Sequence, residues 1–320
     1  MVLGPQEPAA VRSLVRPARL VPGDLIGVAA ISGSPDPDRL DAGCRHLERL
    51  GYRTALALNV RERSGILGLA GDDRSRLDGY LSLLRDPEVK AILFARGGYG
   101  ATRILAALDP EEVAAHPKLH CGFSDVTALH AFLARRCGLL SFHGPMVAAE
   151  LAGPLDPLTA RFFPSLLEGK GPRELELPEA ELIVPGSASG PLMGGCLSML
   201  VSLIGTPDEL DYDGALLFLE DIAEEAYRVD RMIGTLQRAG RMDKLSGVLI
   251  GSFARITFGG VEQPGRLIEL FRERFAGMGV PVALGLPVGH HGPNVPLPIG
   301  AAATWDGERR VLRFDEEVVT

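Results

Sequence analysis

From residue 25 to residue 142, short apolar runs alternate with amphipathic stretches, and that alternation leaves few folds open. Residues 25–31 read LIGVAAI, an unbroken apolar run of the kind buried in a parallel sheet. Asp36-Pro37-Asp38 then carries helix-start chemistry, Leu40, Leu47 and Leu50 form an apolar stripe, and Gly51 closes it. The same rhythm predicts strands at 53–60, 91–95, 119–123 and 139–142. It predicts helices at 73–84, 100–108 and 127–136. The helix at 73–84 presents Leu77, Tyr80, Leu81 and Leu84 on one face and stops at Asp86-Pro87. Units of this length specify a parallel sheet with helices on both faces, an α/β Rossmann or flavodoxin-like domain over residues 17–150. Such sheets bind ligands outside the carboxyl ends of their strands.

Residues 151–187 break the rhythm with Pro, Glu and Gly, as in GPLDPL, EGKGPRELELPEAE and VPGSASG, and read as a linker. Residues 188–320 then read as a second, smaller α/β domain. Helices are expected at 196–204, 226–239 and 265–275, and strands at 216–219, 248–252, 301–305 and 310–314. A site shared by the two domains would lie between them.

The net charge is -8 and no Lys/Arg block stands out, which argues against a nucleic-acid partner. No run approaches the roughly 20 apolar residues of a membrane span. The N-terminus has no basic segment followed by an apolar one, so the expected location is cytoplasmic, with residues 1–16 a loose tail. The four cysteines, Cys44, Cys121, Cys137 and Cys196, form no CxxC pair and read as reduced, buried thiols.

Four segments carry possible chemistry. In Cys121-Gly-Phe-Ser-Asp-Val-Thr127 a serine sits between a strand and a helix, the layout of a nucleophile elbow. The G-x-S-x-G pattern is not met, because Val126 replaces the second glycine. A plain helix cap by Ser124 or Asp125 is the competing reading. Arg96-Gly-Gly-Tyr-Gly100 ends the preceding strand, and its bare amides suit an oxyanion hole, a phosphate cradle or simply a tight turn. Glu220 and Asp221 close an apolar strand, where an acid orients a histidine or is merely solvated. Gly289-His290-His291-Gly292 offers a general base in a Gly/Pro loop. His116, His120, His130 and His143 read as surface or packing residues. Together the four segments supply a nucleophile, an acid and a base in the order Ser, Glu, His.

These residues resemble the LD-carboxypeptidase family of serine peptidases, which also contains microcin-C-resistance hydrolases. The resemblance spans about residues 20–306 and rests on PGDLIGVAA, FARGGYGATRIL, GFSDVTALH, FHGPM, LFLED followed by EEAYRVDRM, GVLIGSF and GLPVGHHGPNVPLPIG, in that order. It implies a triad of Ser124, Glu220 and His290, with His290 rather than His291 as base. It implies an oxyanion hole of backbone amides, placed here at Asp125 and at Gly97 or Gly98, with no cofactor and no metal. The implied substrate is a small peptide, murein tetrapeptide, losing terminal D-Ala in cell-wall recycling, and the implied assembly is a homodimer. Arg96, Tyr99, Arg228 and Arg231 are candidates for holding the substrate, although for the three arginines a structural ion pair competes. Relatives often carry Gly-Gly-Asn where this chain has Gly194-Gly195-Cys196, which leaves the role of Cys196 open. A microcin-C-like nucleotide conjugate is the rival substrate. Trp305 is the only tryptophan, which leans against stacking on a nucleobase. A non-catalytic binding protein is the rival of another class.

Overall fold

The computed structural model describes residues 14–320. The first sheet contains β1 (Leu25–Ala29), β2 (Arg53–Leu56), β3 (Val89–Phe94), β4 (Leu119–Gly122) and β5 (Ser141–His143). Later strands are β6 (Glu174–Glu176), β7 (Glu181–Val184), β8 (Ala188–Cys196), β9 (Leu216–Ile222) and β10 (Gly247–Ala254). The chain closes through β11 (Thr257–Phe258), β12 (Val261–Glu262), β13 (Val282–Leu284), β14 (Leu297–Ile299), β15 (Ala302–Asp306) and β16 (Val311–Phe314).

The first sheet runs β14-β5-β4-β3-β1-β2. Strands β1 to β5 are parallel, and their order is the flavodoxin-like 2-1-3-4-5. The sequence accounts for this layout. The apolar strands are buried on both faces, and the helix Pro37–Arg49 starts where the Asp36 carboxylate accepts a bond from Arg39 N and buries Leu40, Cys44 and Leu47. The second sheet has eight strands in the order β6-β16-β15-β8-β9-β10-β13-β7. Its centre, β8, β9, β10 and β13, is parallel. Both sheets aim the carboxyl ends of their parallel strands at loops that carry the candidate residues.

Three expectations need correction. Residues 151–187 are not an unstructured linker: they hold the helix Pro157–Leu167 and the strands β6 and β7. Strand β6 pairs with β16 and β7 with β13, because backbone groups beside an open sheet edge are satisfied by pairing. The helix expected at 100–108 is only the short turn Thr102–Leu105, followed by Pro110–Ala114 behind an Asp109 cap. The tail expected at 1–16 lies outside the described residues up to position 13. Val15 is pinned, donating to Gly138 O at 2.7 Å and accepting from Leu140 N at 3.0 Å.

One strand crosses between the halves. β14 leaves the C-terminal part of the chain and pairs antiparallel with β5, with Leu297 opposite His143. The His290 loop is thereby tied to the sheet that bears Ser124. Among the described residues no helix is long and apolar enough to cross a membrane. All four cysteines are free thiols.

Candidate active site

Strand β4 ends at Gly122, Phe123 is extended, and Ser124 turns left-handed with φ 63° before the helix Thr127–Phe132. A serine held at positive φ costs about 1–3 kcal/mol, and such strain persists where surrounding structure enforces it. Here the turn lifts the hydroxyl out of the strand. Ser124 is partly exposed, and its hydroxyl bonds no other protein group among the described residues. The helix start has no side-chain cap bond. The capping reading of Ser124 therefore fails.

Gly97 faces this hydroxyl. A methyl group at Gly97 would stand 2.8 Å from Ser124 Cβ, 2.9 Å from its Oγ and 3.4 Å from Asp125 N. Only glycine allows so close an approach. The next residue, Gly98, has φ 112°. The Asp125 side chain plays a different part, since its Oδ2 accepts from Ser32 Oγ at 2.6 Å and from Ala101 N at 2.8 Å. It thus knots the loops that follow β1, β3 and β4. Burial raises its affinity for a proton.

Glu220 lies in β9 and has no exposed surface. Its Oε2 accepts a hydrogen bond from His290 Nδ1 at 2.7 Å. Gly289 makes the approach possible, since a methyl group there would stand 2.9 Å from the same oxygen. Burial opposes charge on His290, but the hydrogen bond and charge of Glu220 outweigh it, so the imidazole titrates above its ordinary value. Burial raises Glu220 in turn, with His290 working against that rise. The neighbouring Asp221 is structural: its carboxylate accepts from Ser198 N at 2.8 Å and Ile222 N at 2.7 Å.

The two halves meet through a pile of rings. His290 lies 4.7 Å from Phe123, the residue before Ser124. Phe123 lies 5.6 Å from His143, and His143 lies 5.2 Å from Phe218, two residues before Glu220. The second domain also clasps the serine helix directly: Cys196 N donates to Thr127 Oγ1 at 3.2 Å. Cys196 itself is buried opposite Glu220 in the β8–β9 pairing, and burial pushes its thiol well up. It packs, with its sulfur 3.3 Å from Ser198 Oγ.

The other candidates fall out differently. Arg96 and Tyr99 are exposed on the Gly97 loop. Arg228 is 3.5 Å from Glu224 and lies over the Tyr227 ring, while Arg231 lies over the same ring and has no carboxylate within 4.0 Å among the described residues. His291 is exposed and makes no partner to Glu220. Sequence reasoning missed three supports. Thr127 holds the Cys196 loop. His130 bonds Gly122 O at 2.8 Å at the foot of the serine turn. Glu150, closed by a bond from Met146 N at 3.0 Å, adds a negative field that favours protonated His290. None of these carries a local motif; each becomes visible only when the loops converge.

A strained serine, a glycine amide loop against it and a buried Glu–His pair are the parts of an acyl-transfer site. The family model for the LD-carboxypeptidase N-terminal domain matches residues 26–144, and that for the LD-carboxypeptidase C-terminal domain matches residues 189–305. The chain belongs to the LD-carboxypeptidase family. Within this family, the chain is 38% identical over 290 residues to the probable murein peptide carboxypeptidase of Bacillus subtilis, covering 90% of each chain. The crystal structure of muramoyltetrapeptide carboxypeptidase from Oxalobacter formigenes superposes with a TM-score of 0.77 at 28% identity, over 90% of this chain and 97% of that one. The microcin C7 self-immunity protein MccF of Escherichia coli is 25% identical over 341 residues, 95% of this chain and 96% of that one. Its wild-type structure has a TM-score of 0.88 at 24% identity, over 96% of this chain and 100% of that one, a likeness of fold.

Proposed function

We propose that this LD-carboxypeptidase removes terminal D-Ala from murein tetrapeptide, with Ser124 as nucleophile, His290 as base and Glu220 as its orienting acid. The observation that carries the reading is the 2.7 Å bond from His290 Nδ1 to buried Glu220, made by a ring packed against the residue before Ser124. That bond leaves Nε2 as the basic nitrogen. Nε2 takes the Ser124 proton as Oγ bonds the scissile carbonyl carbon. The amides of Asp125 and of Gly97 or Gly98 receive the developing oxyanion, each donor worth about 2.7–4 kcal/mol in comparable sites. The proton passes to the leaving D-Ala nitrogen, and water, deprotonated by the same imidazole, releases the acyl group. The 38% identity to a murein peptide carboxypeptidase supports the substrate.

The reading divides the chain into a nucleophile domain, 17–150, and a Glu/His domain, 188–320, acting as a cytoplasmic homodimer; the family resemblance supports the dimer, and sedimentation tests it. The fold shared with MccF favours a second reading, hydrolysis of a nucleotide conjugate. Trp305 does not serve it, because that ring is buried in β15. Incubation with murein tetrapeptide, read by mass spectrometry, decides. Tripeptide and D-Ala are expected from the native protein and not from Ser124→Ala. Cleavage of a peptidyl adenylate conjugate alone would support the second reading, and no cleavage of either would leave a binding protein.

A further inference from the structure

A carboxypeptidase must distinguish a chain end from an internal bond, and the group that marks the end is a carboxylate. A cation within reach of the nucleophile makes that distinction at low energetic cost. The reach is short. The terminal carboxyl carbon stands no more than about 4 Å from the scissile carbonyl carbon. With attack at about 3–3.5 Å and an ion-pair contact near 2.8 Å, the cation belongs within about 10 Å of the serine oxygen.

Most arginines around the loops are already engaged. Arg39 donates to Ala148 O at 2.9 Å and to Ala149 O at 2.6 Å. Arg76 and Arg103 both pair with Asp73. Arg228 has Glu224 and the Tyr227 ring. Arg96 differs. Its Nε donates to Gly97 O at 3.2 Å and its Nη1 to Ser34 O at 3.4 Å, so backbone carbonyls aim the guanidinium without neutralising it. It has no carboxylate within 4.0 Å among the described residues. Five N–H groups minus these two bonds leaves three donors free for a fork.

Its position fits the reach. A methyl group at Gly97 would stand 2.9 Å from Ser124 Oγ, and one at Gly98 would stand 3.6 Å from Arg96 Nη2. Hydroxyl and guanidinium therefore flank two consecutive residues, whose Cα atoms are about 3.8 Å apart. Gly97, one of the residues proposed to supply an oxyanion amide, directly follows Arg96 in the chain. We propose that Arg96 binds the terminal α-carboxylate of the peptide, a role that rests on the hydrolase reading above and gives it chain-end specificity. The leaving residue would lie across Gly97–Gly98 with its carboxylate at Arg96 and its carbonyl partner at Ser124.

The test compares kcat/KM for one peptide ending in D-Ala with the same peptide ending in D-alaninamide. Native protein is expected to prefer the free carboxylate. Arg96→Gln should reduce that preference about 10–100-fold, the weight of a charge-assisted fork, and Arg96→Lys should retain part of it. Because a ratio of two substrates is read, a general loss of activity from a disturbed loop does not mimic the result. Arg255, exposed beyond β10 on the Glu220 side, is the control. A preference unchanged within about twofold in Arg96→Gln, or lost instead in Arg255→Gln, would overturn the assignment. Native protein that cleaves neither peptide would overturn the hydrolase reading beneath it.

Discussion

His290 Nδ1 stands 2.7 Å from Glu220 Oε2, and that carboxylate has no contact with solvent. In a dry setting the acceptor fixes the tautomer, since Nδ1 must carry the proton that Glu220 receives. Glu220→Gln keeps the shape but removes the charge that stabilises imidazolium. We expect kcat/KM on a D-Ala-terminated peptide to fall about 10³–10⁴-fold, as removal of a triad acid does elsewhere. A loss below tenfold would show that Glu220 is only structural.

The same pair sets the pH dependence. Burial lowers His290 and Glu220 more than compensates, so its folded value lies above 6.5. The base works only when neutral, so activity should rise with pH through a midpoint above 6.5. In Glu220→Gln the residual activity should show that midpoint moved down. The sign for stability is opposite. A raised imidazole stabilises the fold in its protonated form, fully below its unfolded value and no longer once pH passes the folded one. A pH profile of kcat/KM with its acid limb below 6.5 in the native protein would contradict the coupling.

Gly97 sits where no side chain fits. In Gly97→Ala the new methyl would meet Ser124 Oγ at 2.9 Å and Cβ at 2.8 Å. The serine turn must give way by a few tenths of an ångström or more. A misplacement approaching about 1 Å costs about 100-fold in rate when the chemistry depends on attack geometry. The expected outcome is a kcat loss near that size with a melting temperature close to native. Unaltered kcat would mean that the loop does not frame the reaction.

Much of the site is legible in the sequence. The GFSD turn, the acid following the apolar run 216–219 and the Gly-flanked His290 are each marked by local sequence, although β9 runs on through Glu220 to Ile222. The edge strands are not. Glu174–Glu176 and Glu181–Val184 are short, acidic and set among prolines and glycines. They become strands because Leu175 meets Leu312 and Leu182 meets Ala283, partners far along the chain that no local window contains. The segment Leu297–Ile299 is likewise a strand only because β5 offers it an edge. The Asp125 knot and the ring pile share that origin: their partners converge through topology, not spacing.

His143 tests the ring pile most directly. Its imidazole is fully buried between Phe123 and Phe218, and among the described residues neither ring nitrogen has a partner. Burial drives its titration well below the ordinary range, so the ring is neutral. An unpaired buried polar group costs about 1–3 kcal/mol, whereas an apolar group of similar volume carries no such penalty. His143→Leu should therefore be neutral or stabilising by about 1 kcal/mol in urea unfolding. His143→Ala should cost about 2–4 kcal/mol through the cavity it leaves. Activity separates support from mere filling. With the cavity open, Phe123 loses the surface that backs it against His290, and kcat should fall more than tenfold while Leu retains most of it. If Leu destabilised the protein as much as Ala, the ring nitrogens would have a bonding role and the pile would not act through packing.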